Sequence, residues 1–99
     1  MMVPIDFSAE LWLWQAEKGA WHFLSVPSGE SDAVRMFAGP RRGFGSVKVQ
    51  ATIGGSTWKT SVFPSKESGG FILPVKKAVR TAEGIGTGDR VNVVLEVLE

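Results

Sequence analysis

The sequence predicts a mainly β domain with two short helices, in which six strands and two helices form two successive ββαβ units. Apolar and polar residues alternate with period two along most of the chain, and this period is typical of strands. Two shorter stretches show the spacing of amphipathic helices, and each follows a strand that ends in proline, at Pro27 or Pro74. Because closure removes exposed edges, we expect the six strands to form a barrel.

Length and composition indicate one globular domain, residues 1–99. The residues are 43% hydrophobic and 21% charged, which is typical of globular proteins. The net charge of +1 argues against a protein dominated by contacts to nucleic-acid phosphates. The chain contains no cysteine, which excludes disulfides, thiolate catalysis and zinc–cysteine sites.

No targeting or membrane signal stands out in the sequence. The opening MMVPIDFSAE lacks the basic and apolar regions of a signal peptide. No window approaches the roughly 18 apolar residues that a membrane span requires. We therefore expect a cytoplasmic protein without a membrane partner.

The first unit covers approximately residues 1–53. Alternation predicts three strands in it, and apolar spacing predicts one helix. Ser31 or Asp32 is expected to cap the helix, and Gly39-Pro40 to end it. In chain order the predicted elements are strand 5–16, strand 21–26, helix 30–39 and strand 47–53.

The second unit, residues 54–99, begins with the hairpin signal Gly54-Gly55-Ser56 and repeats the same order of elements. Pro27 corresponds to Pro74, and Val34-Arg35 corresponds to Val79-Arg80. Few residues are identical, so the repeat is weak in sequence but consistent in its predicted structure. Its predicted elements are strand 57–63, strand 70–73, helix 75–83 and strand 90–98.

Four segments together resemble a widespread prokaryotic family of unknown function: VKVQATIGG, TSVFPSKESGGFILPV, KKAVR and GTGDRVNVVLE. Phe7 and the stretch WHFLSVP extend the resemblance over nearly the whole chain. The resemblance implies a double-split β-barrel, similar in shape to the barrels that two swapped chains form in AbrB-type regulators and MazE-type antitoxins. It implies a pseudo-dimer within one chain, although the first unit has Gly45-Ser46 where the second has Gly88-Asp89. It supplies no catalytic residues.

No catalytic, metal or cofactor site is predicted. His22 is the single histidine, and it is expected to play a structural part because no further ligand or nucleophile stands at a suitable spacing. Glu10 and Glu96 are expected to be solvated rather than paired for acid–base chemistry. The glycines of residues 84–88 follow a predicted helix and precede a strand, which is the wrong order for a phosphate-binding loop.

Trp12 and Trp14 make the first predicted strand apolar on both faces, and Trp58 is ambiguous in the same way. These tryptophans can pack under a helix, line a groove or form a homodimer patch. The leading hypothesis is a non-catalytic binding or structural module whose partner is a peptide, a small ligand or a second copy.

The alternative is a nucleic-acid-binding regulator similar to AbrB and MazE. Its contacts would come from five basic residues, two in the loop after the first predicted helix and three on the outward side of the second predicted helix. Residues 1–53 hold five basic and five acidic residues, and residues 54–99 hold six and five, so neither unit is strongly basic. The candidate contacts are Arg41, Arg42, Lys76, Lys77 and Arg80.

Overall fold

The computed structural model describes residues 3–39 and 45–98. Within these ranges the chain forms seven strands and two helices, which confirms the prediction of a mainly β protein with two short helices. The elements are β1 (Pro4–Glu10), β2 (Trp12–Ala16), β3 (Gly19–Ser25), α1 (Ser28–Ala38), β4 (Val47–Ile53), β5 (Ser56–Pro64), β6 (Phe71–Pro74), α2 (Lys77–Glu83) and β7 (Arg90–Val97).

All seven strands belong to one antiparallel sheet, which curves into a half-barrel with the order β1-β7-β4-β5-β6-β3-β2. The expectation of a closed barrel of six strands is therefore wrong. The difference arises at Leu11, where the predicted strand 5–16 divides into β1, which pairs with β7, and β2, which pairs with β3. The Leu11 N–H donates to Asp89 O at 2.9 Å, and Leu11 O accepts from Gly88 N at 2.8 Å.

The hydrophobic core lies on the concave face of the sheet. Alternate residues of β1, β4 and β7 are buried there, as the period-two pattern predicted. Removing one such side chain from water stabilises the fold by about 1.5–3 kcal/mol. The largest fully buried side chains are Leu11, Leu24, Leu73 and Leu95.

Helix α1 begins two residues earlier than predicted, directly after Pro27, whose φ of −59° suits the start of a helix. No side chain caps the helix, so the expectation of a Ser31 or Asp32 cap is wrong. Ser31 is instead fully buried. Its hydroxyl donates to Val26 O at 3.0 Å and accepts from Phe71 N at 3.1 Å, which fastens α1 to the sheet.

Helix α2 begins two residues later than predicted and ends at Gly84, which adopts the left-handed conformation at φ 64°. Glu83 joins the end of this helix to the β4–β5 turn. Its carboxylate accepts from Ser56 Oγ at 2.6 Å and from Gly55 N at 3.3 Å. Neither α1 nor α2 is long and apolar enough to cross a bilayer, and no other helix occurs in residues 3–39 and 45–98.

Candidate aromatic binding surface

Seven apolar residues cover the outer face of β2, β3, β6 and β5, and we call this surface the aromatic band. The hairpin register places Trp12 opposite Phe23 and Trp14 opposite Trp21. Across the next strands, Phe23 lies opposite Pro74. The members of the band are Trp12, Trp14, Trp21, Phe23, Phe63, Ile72 and Pro74.

Strand alternation explains why these side chains face outward. The residues between them along the strands, Leu24, Leu73 and Val62, are fully buried in the core. Because successive side chains in a strand point to opposite faces, Phe23, Ile72 and Phe63 must lie on the other side of the sheet. These strands are therefore apolar on both faces.

The tryptophans and Phe23 contact one another in the band. The ring centroids of Trp12 and Phe23 are 5.2 Å apart, and those of Trp21 and Phe23 are 6.3 Å apart in a stacked arrangement. Trp12 is half-buried, and its indole N–H donates to Ser25 Oγ at 3.0 Å. Trp14 is 48% exposed and Trp21 is 56% exposed. Within the band, Trp12 is therefore held by a hydrogen bond, whereas Trp14 and Trp21 are exposed to solvent.

Three adjoining depressions follow the band. The central one, of about 290 Å³, is lined only by band residues, from Trp14 to Pro74. At one end a depression of about 350 Å³ adds Ser65 and Glu67. At the other end a depression of about 240 Å³ adds Lys59 and Lys76. The surface therefore has an apolar centre, an acidic end and a basic end.

Trp58 does not belong to the band. It lies opposite Ala51 in the β4–β5 pair, on the face that carries the core, and its ring is half-buried against core side chains. Of these three depressions, Trp58 lines the one at the basic end, together with Trp21 and Pro74 of the band. Trp58 therefore lies on the opposite face of the sheet from Trp12 and Trp14, although its sequence pattern is ambiguous in the same way.

Of the five basic residues in the nucleic-acid hypothesis, the three that the structure describes lie at the N-cap of α2 or within this helix. Lys76 and Lys77 are exposed at the start of α2. Arg80 is half-buried, and its Nε donates to Val75 O at 3.2 Å. Arg41 and Arg42 lie outside the described residues.

His22 lies on the inner side of β3, near the start of the hairpin. Its Nε2 is 3.2 Å from Thr87 Oγ1, and its Nδ1 is buried without a hydrogen-bond partner among the described residues. Burial lowers the pKa of His22, and the positive charge of Arg80 lowers it further. The described residues contain no group of three or more histidine, cysteine, aspartate or glutamate side chains that could hold a metal ion.

A family model for a domain of unknown function, DUF1905, matches residues 7–95. The chain belongs to the DUF1905 family. This confirms the resemblance to a family of unknown function over nearly the whole chain. A comparison with curated proteins finds no match.

Five members of the band in this DUF1905 domain were not predicted as site residues: Trp21, Phe23, Phe63, Ile72 and Pro74. The signal for two of them was present in the sequence. A two-residue turn at Glu17-Lys18 sets the register of the hairpin, and that register places Trp21 and Phe23 beside Trp14 and Trp12. The other three come from strands distant in sequence, so no local pattern indicates their place.

Proposed function

We propose that this protein is a non-catalytic binding module in the cytoplasm and that the aromatic band is its contact surface. The observation that carries the proposal is the contiguity of seven apolar side chains on the outside of the sheet. Trp14, Trp21 and Phe63 are each between 42% and 56% exposed there. A contiguous apolar patch on a folded protein marks a contact site more often than scattered single residues do.

The chemistry of the band supports binding through burial of apolar surface. Tryptophan and phenylalanine are enriched at the centres of protein interfaces, where a few residues supply most of the binding energy. Polar and charged residues surround such centres. Glu67 at one end, with Lys59 and Lys76 at the other, corresponds to this arrangement.

We also propose that the fold is an internal pseudo-dimer related to double-split barrels. The pairing pattern supports this proposal. Exchanging the first unit with the second converts every observed strand pair into a strand pair that is also observed. The pair β1–β7 corresponds to β5–β4, and β2–β3 corresponds to β5–β6. The pairs β3–β6 and β4–β7 each map onto themselves. Here β1 and β2 together take the place of the single strand β5.

A fluorescent apolar probe tests the binding proposal. We expect anilinonaphthalene sulfonate to bind the wild-type protein with enhanced fluorescence, and the double variant Trp14→Ser, Trp21→Ser to lose most of this signal. Met36→Ser is the matched control, since Met36 is 76% exposed on α1 and lies outside the band. Equal signals from wild type and double variant would contradict the proposal. Global unfolding of the double variant, seen by circular dichroism, would show that these tryptophans belong to the core.

A further inference from the structure

The depression at the basic end of the band lies where β5 and β6 stop pairing. Toward this end, the last residue pair between the two strands is Phe63↔Ile72. Pro74 has no N–H with which to continue the ladder, and α2 begins soon after it, at Lys77. The depression therefore lies between β5 and residues 74–76, which both contribute to its lining.

Two lysines stand on opposite sides of this depression. The register of β5 and β6, continued past Phe63 and Ile72, places Lys59 opposite Lys76. Both lysines are exposed, both line the depression, and neither forms an ion pair within residues 3–39 and 45–98. Like charges directly opposite each other repel, which is destabilising. An anionic group bound between the two ammonium groups would relieve this repulsion.

The rest of the depression is mostly apolar. Trp21 lies next to Lys76, because a hydrogen bond from Val75 N to His22 O at 2.9 Å continues the register of β3 and β6. Trp58 lines the depression as well, and its volume is about 240 Å³. None of the described residues that line it is acidic. This combination suits an apolar side chain with a carboxylate beside it, as the last residue of a peptide has.

The opposite end of the band carries an acidic residue. Glu67 is exposed there and, together with Ser65, lines the depression of about 350 Å³. Lys66 precedes Glu67 in the chain but does not line that depression. Six positions separate Ser65 from Lys59 at the basic end, which corresponds to about 20 Å of extended chain. An extended peptide of about six residues therefore spans the band from one charged end to the other.

We propose that the band binds an extended apolar peptide whose C-terminal carboxylate lies between Lys59 and Lys76. The inference rests on the proposed function and names its partner. The last side chain of the peptide lies beside Trp21 and Trp58, and the N-terminal amine lies at Glu67. The opposite direction would place the amine beside two ammonium groups, so charge sets the direction of binding.

Titration with the hexapeptide Ser-Val-Ser-Val-Ser-Phe, followed by tryptophan fluorescence, tests the proposal. Its apolar side chains alternate, so they face the band together in an extended chain, and it contains no tryptophan of its own. We expect the form with a free carboxylate to bind about 2- to 30-fold more tightly than the amidated form, because amidation removes two exposed charge pairs. Acetylation of the amine should weaken binding by about 2- to 5-fold, through loss of the contact with Glu67.

Variants of the charged residues locate the two ends of the peptide. Lys59→Gln and Lys76→Gln should each weaken binding of the free-carboxylate form by about 2- to 5-fold and leave binding of the amidated form unchanged. Glu67→Gln should weaken binding of the peptide with a free amine but not of the acetylated peptide. Lys77→Gln is the matched control, because Lys77 is exposed at the next position along the chain but does not line the depression.

Three results would overturn the carboxylate proposal: no binding of the free peptide at millimolar concentration, equal affinities for the free and amidated forms, or lysine variants that do not discriminate between these forms. The proposed function is judged separately. If the peptide blocked at both ends binds the wild type but not Trp14→Ser, Trp21→Ser, the band remains a contact surface although the carboxylate site is wrong. If neither the peptide nor anilinonaphthalene sulfonate binds the wild type, both proposals are contradicted.

Discussion

The backbone N–H of Phe71 donates to Ser31 Oγ at 3.1 Å, although forty positions separate the two residues in the chain. The same hydroxyl donates to Val26 O, so one buried side chain connects α1, the end of β3 and the start of β6. Replacing Ser31 with alanine leaves the Phe71 N–H buried without an acceptor. An unsatisfied buried group of this kind costs about 1–3 kcal/mol.

We therefore expect Ser31→Ala to lower the free energy of unfolding by about 1–3 kcal/mol in urea titrations. Ser28→Ala is the control, because Ser28 is an exposed serine of the same helix. Equal free energies of unfolding for the two variants would show that the Ser31 hydroxyl makes no net contribution to stability.

Gly70 and Gly29 should respond to alanine in opposite directions. A methyl group at Gly70 would lie 2.5 Å from Ser31 Oγ and 3.3 Å from Val26 O. We expect Gly70→Ala to destabilise the protein by about 1–3 kcal/mol through overpacking. Gly29 lies in α1 with open space around it, so Gly29→Ala should stabilise by about 0.4–1 kcal/mol. Thermal unfolding followed by circular dichroism measures both, and a Gly70→Ala variant as stable as wild type would contradict the packing argument.

Trp58 and Trp14 should differ in what they contribute to stability. Trp58 packs against the core, and Trp58→Ala should cost about 2–3 kcal/mol, somewhat less than for a fully buried tryptophan. Trp14→Ser should change stability by less than about 1 kcal/mol, because the Trp14 side chain is 48% exposed. Guanidinium titrations of the two variants compare them directly. A larger loss of stability for Trp14→Ser than for Trp58→Ala would reverse the assignment of Trp58 to the inner face and Trp14 to the outer face.

His22 should make stability depend on pH. Burial and the charge of Arg80 lower the pKa of His22 below its ordinary value of 6.5, so the unfolded chain binds this proton more readily than the folded one. The neutral imidazole therefore favours folding above about pH 6.5, and this contribution is lost as the pH falls through the lowered pKa. Carboxylates also titrate in acid, so the comparison is with His22→Gln. Urea titrations at about pH 7.5 and pH 5 measure the free energy of unfolding of both proteins. This free energy should fall less from pH 7.5 to pH 5 in His22→Gln than in the wild type, and equal decreases would exclude the effect.

Nucleic-acid binding should be weak. Lys76 and Lys77 are exposed, but Arg80 is half-buried and its Nε donates to Val75 O, just before α2. We expect no shift of a labelled DNA duplex or RNA strand at about 50 mM salt, where phosphate contacts are stronger than at physiological salt. Binding that is steep in salt and reduced by Lys76→Glu, Lys77→Glu would support a nucleic-acid role instead.

Much of the fold could be predicted because local patterns determine it. Strand β4 matches its predicted bounds, and β7 ends one residue early. The division at Leu11 could not be predicted, since Leu11 continues the alternation of Phe7 and Ala9 without a break. Only its hydrogen bonds to Gly88 and Asp89, far along the chain, divide the strand.

The candidate site was predicted in part for the same reason. Trp12 and Trp14 stood out because they make one strand apolar on both faces. Trp58 has the same local pattern, yet its face follows from its pairing with Ala51 and hence from the orientation of the whole sheet. Phe63 and Ile72 join the band only through the β5–β6 pair, which no short sequence pattern reveals.

Leu11 also bears on how the protein unfolds. It is fully buried and links the two outermost strands of the sheet, and its backbone holds the loop before β7. Neither β1 nor β2 can therefore separate from the sheet without disturbing the other strand. The molecule should open as a single cooperative unit rather than fray strand by strand, and the Leu11 amide should exchange its hydrogen as slowly as those at the centre of the sheet.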